Sequence, residues 1–286
     1  MRIFRRLIVA LFIVSLALYV GVDIWEARTT DTDGPALTSD VETLELSVTD
    51  PEETLLSGLT ASDEKDGDLT DNILISGKSF FTEPGVLTVD YVVFDSDNNF
   101  ASLSRKVCYT DYTSPEFSVE GSLYFVRSSS ISVVDSITAT DVLDGDISDQ
   151  ISLVSSEVDS DQAGTYAITI EVTNSYGDRV EADAYVIVGS SSTQTGLILN
   201  NTFFYLDPGE SFTASDAISG FVSPKTGESL SVLGMTVYED GGAAYTITTK
   251  GTVDTSTPGC YLVEYIWTDG EDESGSVWLS VIVRDN

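Results

Sequence analysis

The chain has 286 residues, 42% of them hydrophobic, with 13 Lys and Arg against 47 Asp and Glu and no His. A formal net charge of −34 repels phosphate backbones and excludes a nucleic-acid partner; the absence of His removes the commonest general base and the usual zinc ligand. Cys108 and Cys260, 152 positions apart, support no disulfide framework and read as small half-buried strand residues.

The first predicted element is a membrane anchor over residues 7–25, preceded by a cytoplasmic tail, 1–6. Residues 7–22, LIVALFIVSLALYVGV, carry no charge, which is near the lower length limit for a spanning helix. Arg2, Arg5 and Arg6 precede the run and the first acid, Asp23, follows it, so the positive-inside rule keeps the N-terminus in the cytoplasm. Tyr19 and Trp25 suit the outer interface. A cleaved signal peptide shares the charged start and apolar middle, but the flank ALYVGVDIWE spoils most small-residue cleavage pairs. The expectation is an uncleaved anchor, with 10 basic against 47 acidic residues beyond Val22, all outside the cytoplasm. That charge keeps an exposed protein soluble and leaves cations, basic proteins and neutral sugars as partners.

A linker, 26–40, leads into an internal repeat. TASDEKDGDLTDNI (60–73) and TATDVLDGDISDQI (138–151) are identical at eight of fourteen positions at an offset of 78. Each copy is followed by a glycine that opens an alternating apolar ladder, the mark of a strand with one buried face. Gly85 precedes Leu87, Val89, Tyr91 and Val93; Gly164 precedes Tyr166, Ile168, Ile170 and Val172; near the end Gly259 precedes Tyr261, Val263, Tyr265 and Trp267. Polar turns follow at 95–99, 174–178 and 269–274, where Asn, Asp and Gly supply positive φ and side-chain-to-backbone bonds. The returning strands include Val180, Ala182, Ala184, Val186 and Val188, and later Val277, Leu279, Val281 and Val283. No other segment has helical periodicity. Strands in units of about 80–95 residues predict an all-β protein of three tandem Ig-like β-sandwich domains after a transmembrane helix. Their bounds are 41–112, 113–190 and 195–286, with linker-like stretches at 110–117 and 189–196.

The pattern A-x-D-x-x-D-G-D-[LI]-[TS]-D, then a Gly-led strand, an Asp/Asn-rich turn and a final strand, resembles the bacterial immunoglobulin-like repeat family. The match covers roughly residues 41–190. The third unit keeps Thr213, Ala214, Ser215 and Asp216 and the Gly259 hairpin, but reads Ile218-Ser-Gly-Phe221 in place of the D-G-D core and carries about twenty extra residues before Gly259. The resemblance implies an Ig-like sandwich and a surface role, and no single ligand.

The chemical candidates are Asp63, Asp66, Asp68 and Asp71, repeated as Asp141, Asp144, Asp146 and Asp149. An oxygen-only cluster with a Gly at the bend suits a hard cation such as Ca²⁺, although neither the Gly position nor the flanks match an EF-hand. Turn chemistry alone also accounts for Asp and Gly here, and both readings stand. In an Ig-like topology the loop shares a pole with the last turn, bringing Asp95 and Asp97 near the first cluster and Asn174 and Asp178 near the second. Trp278 alternates out of phase with Val277 and Leu279 and, with Tyr261 and Trp267, is a candidate sugar-stacking surface; an edge aromatic covering the core is the other reading. No nucleophile elbow or phosphate-cradling loop is present. The expectation is a non-enzymatic, membrane-anchored surface protein with a structural, adhesive or partner-binding role. It needs no cofactor beyond a candidate Ca²⁺, and its partner is a surface protein or glycan. A carbohydrate-binding accessory acting through the third domain, or a subunit of an envelope complex, is the alternative.

Overall fold

An unbroken helix, α1 (Arg2–Thr29), opens the computed structural model, which describes residues 2–29 and 33–285. Its apolar stretch, Phe4–Val22, has a mean hydropathy of 2.0 and buries none of its surface in protein. A helix of 19 such residues rises about 28 Å, close to the thickness of a bilayer core. The helix runs on past 6/7 and 25/26, the expected bounds of the anchor, where no Gly or Pro interrupts it. The side chains of Arg2, Ile3, Asp23, Trp25 and residues 26–29, all of Met1, residues 30–32 of the expected linker, and Asn286 lie outside the described residues.

The rest of the chain is strand and turn. The chain divides into two compact units: residues 1–79 with 87–108, and residues 80–86 with 109–286.

In the first unit the strands are β1 (Ala36–Ser39), β2 (Thr43–Leu46), β3 (Leu59–Asp63), β4 (Gly67–Asp68), β5 (Leu74–Lys78), β6 (Val86–Phe94) and β7 (Phe100–Tyr109). They form a three-stranded sheet, β1-β3-β4, and a four-stranded sheet, β2-β7-β6-β5. Leu87, Val89, Tyr91 and Val93 are all buried, as the period-two ladder requires, and Leu55, Leu59, Ala61, Ile73 and Val107 complete the core.

The second unit repeats this arrangement with β8 (Glu116–Ser118), β9 (Tyr124–Val126), β10 (Thr138–Asp141), β11 (Gly145–Asp146), β12 (Ser152–Ser156), β13 (Gly164–Thr173) and β14 (Arg179–Gly189). The sheets are β11-β10-β8 and β12-β13-β14-β9, and β9 runs parallel to β14 with Ile187 opposite Tyr124. Its third segment adds β15 (Gly196–Leu199), β16 (Phe203–Leu206), β17 (Ile218–Val222), β18 (Ser229–Leu233), β19 (Thr236–Glu239), β20 (Gly242–Lys250), β21 (Gly259–Thr268) and β22 (Ser274–Val283). These join in one eight-stranded sheet, β15-β17-β18-β19-β20-β21-β22-β16. The extra residues before Gly259 are the strands β18–β20, which carry the sheet from β17 round to β21. Its core holds Leu197, Phe221, Tyr245, Tyr265, Trp267 and Leu279. Gly196, at φ +86°, lies so close to the Trp267 indole that an added Cβ would sit 2.6 Å from the ring, so only glycine fits there.

The residues expected as a linker, 189–196, do not separate two independent cores. Phe203 and Ile282 of the third segment belong to the buried cluster of the second repeat, with the Phe117 and Phe203 rings 5.6 Å apart. The Phe117 amide donates to the Tyr205 hydroxyl, and Arg284 bridges Glu116 and Asp207. Sequence periodicity reports which face of a strand is buried, not which neighbour buries it, so this joining was invisible in it.

Candidate functional site

The two acidic loops fold alike, and their carboxylates are engaged by the loops' own N–H groups. In the first, Asp63 Oδ1 accepts from the amides of Lys65 (2.8 Å) and Asp66 (2.9 Å); in the second, Asp141 Oδ1 accepts from Leu143 and Asp144, both at 2.9 Å. Gly67 and Gly145 take φ of 78° and 76°, the left-handed bend that favours glycine. Asp68 then accepts from the Thr70 amide, and Asp146 from the Ser148 amide and hydroxyl. Hydrogen bonds to the charged form hold Asp68 and Asp146 below the usual carboxylate range, with the Thr70 and Ser148 hydroxyls the leading donors.

A second set of contacts ties each loop to the hairpin turn at the same pole, as the topology argument required. Asp66 Oδ2 accepts from the Ser96 amide (2.9 Å) and Lys65 pairs with Asp97. Asp144 accepts from the Ser175 amide (2.6 Å) and hydroxyl (2.8 Å). The Ser96 amide, the largest influence on Asp66, also lowers that residue's pKa. The turns themselves share one device. Asp95 Oδ1 accepts from the amides of 97 and 99, Asn174 Oδ1 from 176 and 178, and Asp269 Oδ1 from 271 and 273. Asp269 is pushed down to about 2, chiefly by the Glu271 and Glu273 amides and then by Lys225. The third segment therefore keeps the turn lock although it lacks the D-G-D loop.

In the second repeat the cluster is deeper. Asp141 and Asn174 are buried, and the Tyr112 hydroxyl donates to Asp178 Oδ2 at 2.7 Å while accepting from Asn174 Nδ2 at 2.9 Å. Asn174 Nδ2 also donates to Asp141 Oδ2 at 3.0 Å. Burial first, and the Asp178 carboxylate second, raise the Tyr112 pKa far above the ordinary phenol value, so it stays protonated. Phe81 stacks on Tyr176 and meets Tyr112 edge-on, each pair with centroids 4.9 Å apart. Sequence reasoning missed Tyr112, which lies in a stretch marked only as a linker.

Asp71 and Asp149 sit in single 3-10 turns on the exposed side. Among the described residues no group of three or more His, Cys, Asp or Glu converges as a metal would require. What the loops do chemically is cap backbone N–H groups and fasten loop to turn.

Trp278 lies in β22 opposite Glu264, and its ring stacks on Tyr185 of β14 at 4.4 Å. Trp267 is buried, and Tyr261, on the same phase of β21, packs against the same core, so the three aromatics expected as one surface do not share a face. Beside this contact the Ser280 hydroxyl donates to the Asp183 carbonyl at 2.5 Å, and the Cys260 thiol lies 3.7 Å from the same oxygen. Cys108 and Cys260 are free thiols of intermediate exposure. A groove of about 360 Å³ is lined by Pro115, Glu116, Arg179, Cys260, Ile282 and Arg284 among others. Its arginines are paired, Arg284 with Glu116 and Asp207, and Arg179 with Glu171 and Glu181.

No family model matches the chain. The chain is 27% identical over 232 residues to the pesticidal crystal protein Cry22Aa of Bacillus thuringiensis, an alignment covering 79% of this chain and 29% of that protein; it spans under a third of the relative's length. Among solved structures it is similar to the CBM51-2 domain in complex with GlcNAc and INT domains from Clostridium perfringens ZmpB, at 19% identity over 53% of this chain and 27% of that one, with a TM-score of 0.23. It is also similar to Drosophila N-cadherin EC1-4, at 11% identity over 89% of this chain and 76% of that one, with a TM-score of 0.21.

Proposed function

We propose that the chain is a membrane-anchored, non-catalytic surface protein of the bacterial immunoglobulin-like repeat type, with a structural, adhesive or partner-binding role. The observation that carries this reading is the joining of two incompatible surfaces in one chain. Phe4–Val22 is a 19-residue apolar helix with no protein around it, and beyond it stands an acidic all-β portion whose loops are fastened by their own carboxylates. The first needs a bilayer; the second suits a solvated surface. The three charged residues ahead of the uncharged run 7–22, Arg2, Arg5 and Arg6, set the N-terminus inside and the β portion outside. The two-sheet arrangement recurring over residues 36–109 and 116–189 supports Ig-like sandwiches, with the third segment as a divergent module packed on the second.

Protease treatment of intact cells producing the full chain tests the reading. Exposed β portion, in a chain that resists alkaline extraction from membranes, is the expected outcome. Deleting residues 4–22 should leave soluble, untranslocated protein. Full protection of the β portion in cells whose outer envelope layers are opened to protease, with the cytoplasmic membrane intact, contradicts it.

A further inference from the structure

We infer that Asp240–Gly241, the turn between β19 and β20, is a self-modification site, at which the chain converts its own aspartate to isoaspartate through a cyclic succinimide. The reaction asks three things of an Asp-Gly pair: a carboxyl that no donor holds, a following amide that donates to nothing, and room for the two to meet. Glycine suits the second place because it has no Cβ to block the approach. The chain holds five such pairs, Asp33–Gly34, Asp66–Gly67, Asp144–Gly145, Asp240–Gly241 and Asp269–Gly270, and no Asn-Gly.

Four of the five are held. Asp66 Oδ2 accepts from the Ser96 amide, and Asp144 accepts through both oxygens from the Ser175 amide and hydroxyl. Asp269 accepts from the Glu271 and Glu273 amides and from Lys225, and the Gly270 amide itself donates to the Thr268 hydroxyl at 3.0 Å. Asp33 is tied to Asn99, whose side-chain amide donates to its carbonyl, and Gly34 lies against the Phe100 carbonyl. Such bonds favour the ionised carboxyl: the Ser96 amide lowers the Asp66 pKa, and the Glu271 amide leads the lowering at Asp269. A carboxylate must take a proton before one of its oxygens can leave as water, so these sites are protected twice.

Asp240 has neither protection. Glu239 pairs with Gly242, which leaves Asp240 and Gly241 as the two exposed central residues of the hairpin, at φ of 50° and 81°. Among the described residues no hydrogen bond reaches the Asp240 carboxylate or the Gly241 amide, and a Cβ added to Gly241 would meet nothing within 4 Å. The Gly241 nitrogen attacks Asp240 Cγ; the N–Cγ bond forms, a Cγ–O bond breaks, and the amide proton leaves with that oxygen as water. Water then opens the ring at either carbonyl. Cleavage at Cγ restores aspartate, and cleavage at the main-chain carbonyl leaves isoaspartate, with the backbone running through Cβ and Cγ. That adds one carbon to a turn closed by two residues, so Glu239 and Gly242 lose their register.

The chemistry needs neither the anchor nor a partner. The full chain in mild detergent is held in warm neutral buffer made with heavy-oxygen water, either folded or in guanidinium, and then mapped by peptide mass spectrometry. Each passage through the ring leaves one heavy oxygen on the residue. In the folded chain Asp240 is expected to gain label at least about tenfold faster than Asp66, Asp144 and Asp269, whose bonds must first break. In guanidinium the five sites are expected to react within about threefold of one another. Asp240→Glu keeps the charge but needs a larger ring, and is expected to abolish labelling at this site alone. An unlabelled Asp240, another pair labelled ahead of it in the folded chain, or a tenfold lead that persists in guanidinium (about 1.4 kcal/mol of barrier unrelated to the fold) overturns the inference.

Discussion

Arg105 is the position where substitution tests the packing argument most sharply. It lies in β7 on the phase of Ala101, Leu103 and Val107, and is 2% exposed, so a permanently charged guanidinium occupies a core position. Its Nη2 donates to the Leu55 carbonyl at 2.6 Å and to the Tyr91 hydroxyl at 3.3 Å; its Nη1 donates to the Ser57 carbonyl at 2.7 Å and the Ser39 hydroxyl at 3.2 Å. Tyr91 in turn donates to the Leu55 carbonyl at 2.7 Å, and the guanidinium lies 5.3 Å from the Tyr91 ring centroid. Each short bond from a charged donor contributes about 1.5–3 kcal/mol, so the two to Leu55 and Ser57 together contribute about 3–6 kcal/mol. Arg105→Met keeps the packing volume, removes these bonds and relieves the burial of the charge; the net loss is expected at about 2–4 kcal/mol. Because a chain of two compact units need not unfold in one step, the assay is native-state hydrogen exchange of the full chain, read at the slowest amides of β6. Their exchange should accelerate roughly 30- to 1,000-fold, at 1.4 kcal/mol per tenfold. The second repeat carries Ile170 and Ala184 at the places of Tyr91 and Arg105, so Tyr91→Ile with Arg105→Ala should cost at least about 1 kcal/mol less than the two singles summed. Exchange within about threefold of wild type for Arg105→Met, a difference under about 1 kcal/mol, would refute the reasoning.

The remaining predictions concern the turns and loops. Asp269, held at about 2, should titrate near there by carboxyl NMR in the folded chain, against about 3.9 when unfolded. Its folded pKa is depressed, so its stabilisation is present above about pH 4 and is lost as pH falls towards 2; a midpoint near 4 contradicts the turn lock. Tyr112→Phe leaves Asp178 without its hydroxyl donor and Asn174 Nδ2 with only the Asp141 carboxylate as acceptor. It should destabilise the second unit by about 1–3 kcal/mol, visible as faster amide exchange at Tyr176 and Asp178, whereas unchanged rates would place the hydroxyl outside the network. Since the loop carboxylates already accept from N–H groups, millimolar Ca²⁺ should leave both heat and melting midpoint unchanged in calorimetry of the full chain. A midpoint that rises with Ca²⁺ and falls back with chelator would establish the cation reading instead.

Much of this molecule is written in period-two alternation. The ladders after Gly85, Gly164 and Gly259 are buried on the expected phase, and the turns at 95, 174 and 269 close through an Asp or Asn at their first position. These features are local, and local patterns survive in a sequence without a structure. The approach of Asp66 to Ser96 and of Asp144 to Ser175 is not local, but the topology of a two-sheet unit dictates it. What escaped was contact chosen by shape rather than period. Phe203 and Ile282 look like ordinary strand residues of the third segment, and nothing in their spacing says that they close the core of the second repeat. Tyr112 reads as linker until its hydroxyl is seen between Asp178 and Asn174. Arg105 did leave a signal, a charge on the apolar phase of β7, and Phe94 and Phe100 left the converse one, aromatics on the polar phase.

A surface role requires one orientation of the chain in a bilayer, with the β portion outside. Full-length fusions carrying at the C-terminus either a phosphatase active only outside the cytoplasm or a fluorescent protein that matures only inside it would read that orientation. The first should be active and the second dark, and replacing Arg2, Arg5 and Arg6 with Glu should weaken or reverse the pattern. A bright cytoplasmic reporter with an inactive phosphatase on the native chain would contradict the proposed surface role.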